Sequence, residues 1–86
     1  MSSSRTAYIC AGFYPLDADD MMHAAHLFAA WQARRKYGAA AECKLLIQTE
    51  LKQEGATFEA VIAHRDRPGL GEPFHFTVVI DRSPQN

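Results

Sequence analysis

The sequence predicts an α+β domain in the order β-α-β-β-β, with one helix packed on a four-stranded, mainly antiparallel sheet. Three observations predict it. The stretch "LDADDMMHAAHLFAAWQARRKYG" (16–38) is rich in helix formers and carries an apolar stripe at helical spacing. "ATFEAVIAHR" (56–65) and "FHFTVVIDR" (74–82) alternate apolar side chains in period two. "KQEG" and "DRPGLGEP" supply turns before and between those two runs. A helix followed by a run of strands defines the α+β class.

The chain has 86 residues, one small domain spanning 1–86. A domain of this length buries roughly 60 to 65% of its unfolded surface. The polar ends, 1–5 and 83–86, read as frayed.

The first element, "RTAYICAGFY" (5–14), reads as a strand with apolar area on both faces, ended by Pro15. The helix follows. Asp17 suits the N-cap, Asp19 and Asp20 suit the first turn, and Gly38 suits the residue that lets the chain leave the helix. Met21, Ala24, Ala25, Leu27, Phe28 and Trp31 share the broad inward face. Asp19, His23, His26, Ala30 and Tyr37 occupy the other.

Residues 40–54 suit a helix by composition and a strand by period. The strand is preferred because Lys52–Gly55 reads as a hairpin turn and the remaining strands need partners. On that reading Cys43, Leu45, Ile47, Thr49 and Leu51 share one face. In the next strand Phe58, Ala60 and Ile62 align. "DRPGLGEP" (66–73) is a loop, and in the last strand Phe74, Phe76, Val78 and Ile80 form the core face. The first strand is expected to run parallel to the one after the helix, through a right-handed helical crossover. The helix covers the phenylalanine-bearing face. The other face is open to water or a partner.

The formal net charge is −1. That disfavours generic DNA binding, which rests on many phosphate contacts, and wholesale DNA mimicry, which needs strong acidity. "AYICAGFYPL" (7–16) is apolar but holds Pro15 and two tyrosines and is followed by an acidic run, so it is not expected to be a secretory signal, and no apolar run reaches membrane-spanning length. Cys10 and Cys43 are too few for a disulfide framework and read as small core residues in a reducing cytoplasm.

Asp19, His23 and His26 form D-x-x-x-H-x-x-H on one helix face, a possible metal half-site. The fourth ligand is missing, and a solvated helix face is the preferred reading. His64 and His75 flank the 66–73 loop and are expected as cross-strand neighbours, which raises a small enzyme as an alternative. No nucleophile in a strained turn accompanies them, and no catalytic residue is assigned. "GLGEP" precedes a strand and lacks the helix dipole that would hold phosphate, so no cofactor is implied.

The best positional argument concerns the cations. The strand order brings Arg65 and Arg67, with His64, to the end of the molecule where Arg34, Arg35 and Lys36 close the helix. Asp17, Asp19, Asp20, Glu54 and Asp81 gather at the opposite end. Cations near a helix C-terminus stabilise it by roughly 0.3 to 1 kcal/mol each without any partner, and that reading is preferred. As a binding patch, Arg34, Arg35, Lys36, Tyr37, Arg65 and Arg67 are the candidate partner contacts.

The layout, a helix in the N-terminal half followed by a strand meander closing with Pro73, Phe74 and His75, resembles small phage-borne anti-CRISPR proteins. The resemblance implies an inhibitor that occupies a surface of a CRISPR effector subunit. The expected function is thus a non-catalytic protein-binding module acting on a protein partner. Weak nucleic-acid binding by the basic end is an alternative. The chain is expected as a monomer or as a homodimer through an edge strand.

Overall fold

The computed structural model describes residues 6–12 and 15–81. The chain runs β1 (Thr6–Cys10), β2 (Leu16–Ala18), α1 (Met21–Tyr37), a single 3-10 turn (Gly38–Ala40), β3 (Ala41–Leu51), β4 (Gly55–His64) and β5 (Arg67–Ile80). The α+β class holds, but the sheet has five strands, in the order β2-β1-β5-β4-β3. Every neighbouring pair is antiparallel.

The added strand is β2. Its three residues are too short to show a period, yet they pair with Thr6–Tyr8. Ala11 and Gly12 reverse the chain with φ of 50° and 81°, in the left-handed region. Phe13 and Tyr14, expected in the first strand, lie outside the described residues, as do the expected frayed ends.

β2 changes two further expectations. It turns the chain back before the helix, so β1 and β3 run in opposite directions and no parallel crossover forms. It also takes Asp17 out of the helix. Asp20 is the N-cap instead: its carboxylate accepts the His23 N–H at 2.8 Å. Asp19 and Asp20 therefore precede the first turn.

The third difference is β5. The expected loop 66–73 is mostly strand, and the hairpin turn shrinks to Arg65 and Asp66. Among the described residues β1 pairs with β5 only at Val78–Ile80, so the first half of β5 has one edge without a partner there. A strand with a free edge tolerates Pro68 and Pro73, which donate no backbone hydrogen bond.

The helix packs on the face formed by Ala56, Phe58, Ala60 and Ile62 of β4 and Phe74, Phe76, Val78 and Ile80 of β5. Phe28 sits at the centre, its ring 4.7 Å from that of Phe76 and 5.9 Å from that of Trp31. Ala24, Ala25, Ala29 and Ala33 are buried along the same side of α1, and their small size lets the helix lie close to the sheet. Leu27, expected inside, is 38% exposed, because the helix is rotated to bury Ala29 and Ala33.

β3 differs in face as well. Bulges fall between Cys43 and Leu45 and between Gln48 and Glu50. Each shifts the alternation by one residue. Cys43, Leu46 and Leu51 align with the helix-side residues Ile62, Ala60 and Ala56, while Leu45 and Ile47 align with Val61 and Glu59 on the open side. Cys43 is exposed rather than in the core; Cys10 is buried. The Lys52–Gly55 turn forms as expected, with the Lys52 N–H donating to the Gly55 carbonyl at 2.8 Å.

Candidate functional site

The cationic end is built by two chain segments. The last turn of α1 carries Arg34, Arg35 and Lys36, and Gly38, with φ 63°, lets its N–H reach the Arg34 carbonyl. The chain then makes one 3-10 turn into β3. There the Ala40 carbonyl accepts the Arg65 N–H at 2.7 Å, which fixes the β4–β5 turn to the end of the helix. The Tyr37 ring meets His64 edge-on, centroids 6.0 Å apart. All six sequence-selected residues, Arg34, Arg35, Lys36, Tyr37, Arg65 and Arg67, thus lie at one end.

They are not equivalent. Arg34, Arg65 and Arg67 are exposed and enter no ion pair among the described residues. The Arg35 guanidinium lies 4.8 Å from the Trp31 ring centre, a cation–π contact that holds it over the helix flank. Lys36 points to β5 and donates to Glu72 Oε1 at 2.6 Å, and the Tyr37 hydroxyl donates to Glu72 Oε2 at 3.1 Å.

Glu72 was not a candidate in the sequence, because it sat in a segment read as loop. A strand reading of 67–73 would have placed it opposite Ile62, one short step from the helix end. Its hydrogen bond from Lys36 holds its carboxyl below the usual carboxylate range. The same bond raises the Lys36 ammonium above the usual lysine value. Desolvation first, and the bond to Glu72 second, push the Tyr37 phenol up. Lys36, Glu72, Arg35, Gln32, Ile62, Pro73 and Phe74 line an open cavity of about 350 Å³ beside this contact. Asp66 and Glu72 offset two of the five cations, so the end is basic but mixed.

The other candidates separate. His75 lies opposite Glu59 on the open sheet face, with Nε2 3.9 Å from the carboxylate. His64 pairs with Arg67 at the turn and faces Tyr37. Four residues of β4 lie between Glu59 and His64, five steps or about 16 Å of strand, so the two histidines are not neighbours. On the helix, His23 Nδ1 accepts the Asp19 N–H at 3.2 Å and His26 is exposed. Among the described residues no group of three or more His, Cys, Asp or Glu side chains is placed to hold a metal. No described helix is long and apolar enough to cross a membrane.

The opposite end carries the expected carboxylates. Asp17 pairs with Ala7, and the Asp81 N–H donates to the same residue's carbonyl at 2.9 Å. Asp19 and Asp20 precede the helix, and Glu54 lies in the β3–β4 turn. The charge polarity read from the sequence is therefore built into the fold. No protein-family model, curated protein or solved structure gives a significant match to this chain.

Proposed function

We propose that this protein is a non-catalytic protein-binding module that presents its basic end to an acidic surface on a protein partner. The observation that carries the reading is the joining of the helix terminus to the β4–β5 turn through Arg65 and Ala40. It brings Arg34, Arg65 and Arg67, which enter no ion pair among the described residues, to the end of the molecule that carries Tyr37. Arginine and tyrosine are favoured interface anchors, because each brings contact area and directional hydrogen bonds. Asp66 and Glu72 break up the positive field, which suits a patterned protein surface better than a uniform phosphate backbone.

The narrower reading is an inhibitor of the anti-CRISPR kind, occupying an effector subunit. It is supported by the layout: a helix followed by the β3–β4–β5 meander, with Pro73, Phe74 and His75 in the last strand. The test is Arg34→Glu with Arg35→Glu, compared with wild type for capture of a partner from the natural host and for inhibition of that host's CRISPR interference. Loss of both, with unchanged circular dichroism, is expected. Undiminished capture removes the patch from the interface. Equal binding of any duplex, falling steeply with salt, makes the end a nucleic-acid contact instead.

A further inference from the structure

β3 is an outer strand of 11 residues whose far edge has no partner among the described residues. It contains neither proline nor glycine. By contrast, the free half of β5 carries Pro68 and Pro73, and the other outer strand, β2, has three residues. Proline and shortness are the usual protections of a sheet edge. β3 has only its two bulges, which leave Leu45–Gln48 as regular strand between them. It also exposes apolar side chains: Leu45 and Ile47 at 42% each, and Leu51 at 70%.

We propose that β3 pairs with β3 of a second copy of this chain, antiparallel and centred on Ile47, to form one sheet across both copies. The register follows from face and charge together. A two-fold axis perpendicular to the sheet must pair open-face residues with open-face residues. Centred on Ile47, Ile47 meets its twin, Leu46 meets Gln48, and exposed Cys43 meets exposed Leu51, each pair matched in face. The same register sets Lys44 against Glu50 and Glu42 against Lys52, twice each by symmetry. Centring on Leu46 sets Glu42 against Glu50, and centring on Gln48 sets Lys44 against Lys52. Like charges directly opposed disfavour both alternatives.

The whole-molecule charge agrees. An antiparallel pair lays the basic end of one copy beside the acidic end of the other, the favourable arrangement for two polarised molecules. The pairing uses the edge of β3 and not Arg34, Arg65 or Arg67, so this proposal is independent of the binding role above.

The experiment is sedimentation equilibrium over a wide concentration range at low salt, with wild type, Lys44→Glu, and Lys44→Glu combined with Glu50→Lys. Reversible dimerisation of wild type is expected. Lys44→Glu, on an exposed site, is expected to weaken it roughly tenfold or more, and the double charge swap to restore it. A second arm reads the register directly. Ile47→Cys in a Cys43→Ser background puts two thiols on the axis, within the Cα spacing of roughly 4.4–6.8 Å that a disulfide requires, and is expected to oxidise to a covalent dimer. The native Cys43 pair, eight residues out of step, is expected not to. A monomeric mass at every concentration overturns the proposal. So does a dimer indifferent to Lys44→Glu, or one whose Ile47→Cys form fails to cross-link.

Discussion

Lys36 Nζ and Glu72 Oε1 stand 2.6 Å apart, although 36 residues separate them in the chain. The contact ties the last turn of the helix to β5, and the Tyr37 hydroxyl adds a second strand to the tie. Glu72→Gln removes the negative partner while keeping the shape. Two effects are expected: a small fall in melting temperature, and stronger retention on heparin, because Lys36 is released to the basic end. The acid limb follows from the direction of the shift. The folded-state pKa of Glu72 lies below its unfolded value, so its contribution is present above the ordinary carboxylate pKa and lost as pH falls through the folded one. Lys36 is shifted up, so its share is present below the ordinary lysine pKa and lost only as pH rises past the folded value. The contact therefore persists through neutral pH. Two-dimensional NMR should show Tyr37 resonances following one acid titration in wild type and none at that site in Glu72→Gln.

Phe28 is 5% exposed, its ring tilted against Phe76 and Trp31 and edge-on to Phe74. The neighbouring helix residues facing the sheet are alanines, which cannot spread into a space left by a lost ring. Phe28→Ala is expected to cost about 3 to 5 kcal/mol, measured by urea unfolding at constant m. Leu27→Ala, at a site 38% exposed, should cost much less. Equal costs would mean the helix presents a different face to the sheet.

Where the sequence carried a long, uninterrupted period, the fold was legible. Phe58, Ala60 and Ile62, and Phe74, Phe76, Val78 and Ile80, align on one face as their alternation predicts. Gly38 ends the helix as expected. Misreadings occurred where a local signal was overridden by pairing. β2 is shorter than any period, and its existence depends on β1 lying beside it. Pro68 and Pro73 spell loop by composition, but a strand with one free edge accepts them. Bulges inverted the faces of β3, and a bulge has no signature in a run such as "AECKLLIQTEL". The site inherited both outcomes. Its cations were placed at the right end, because helix and hairpin order decide that; its acid, Glu72, was hidden by the loop reading.

The two cysteines should differ in reactivity by environment. Cys10 is fully buried beside the Ala24 carbonyl, and burial pushes its thiol up to about 11. Cys43 is exposed on β3, with desolvation raising its thiol as well. Because the thiolate is the nucleophile, neither reacts rapidly at neutral pH, but only Cys43 is reachable. A chromogenic disulfide reagent at mildly alkaline pH should titrate one thiol in the native protein and two in denaturant. Two native thiols would show that the β1–helix contact opens readily.

Gly55 opens β4 and pairs with Val79 at the start of the strand. A Cβ placed there runs into the backbone carbonyl oxygen of Val78 and lies 2.9 Å from a Val79 methyl. Gly71 provides the comparison: its added Cβ meets only a Val61 methyl, at 2.6 Å, with the nearest backbone atom 3.8 Å away. A side-chain methyl yields by a rotamer change, whereas a ladder carbonyl moves only with its strand. Gly55→Ala should therefore fall at or above the upper end of the about 1 to 3 kcal/mol typical of overpacking, and Gly71→Ala near the lower end. Denaturant midpoints of the two single variants test the order. The reverse order would mean that β4 and β5 can part at the Gly55 end without loss, and hydrogen exchange at Ala56 and Val78 would then be fast in the wild-type protein as well.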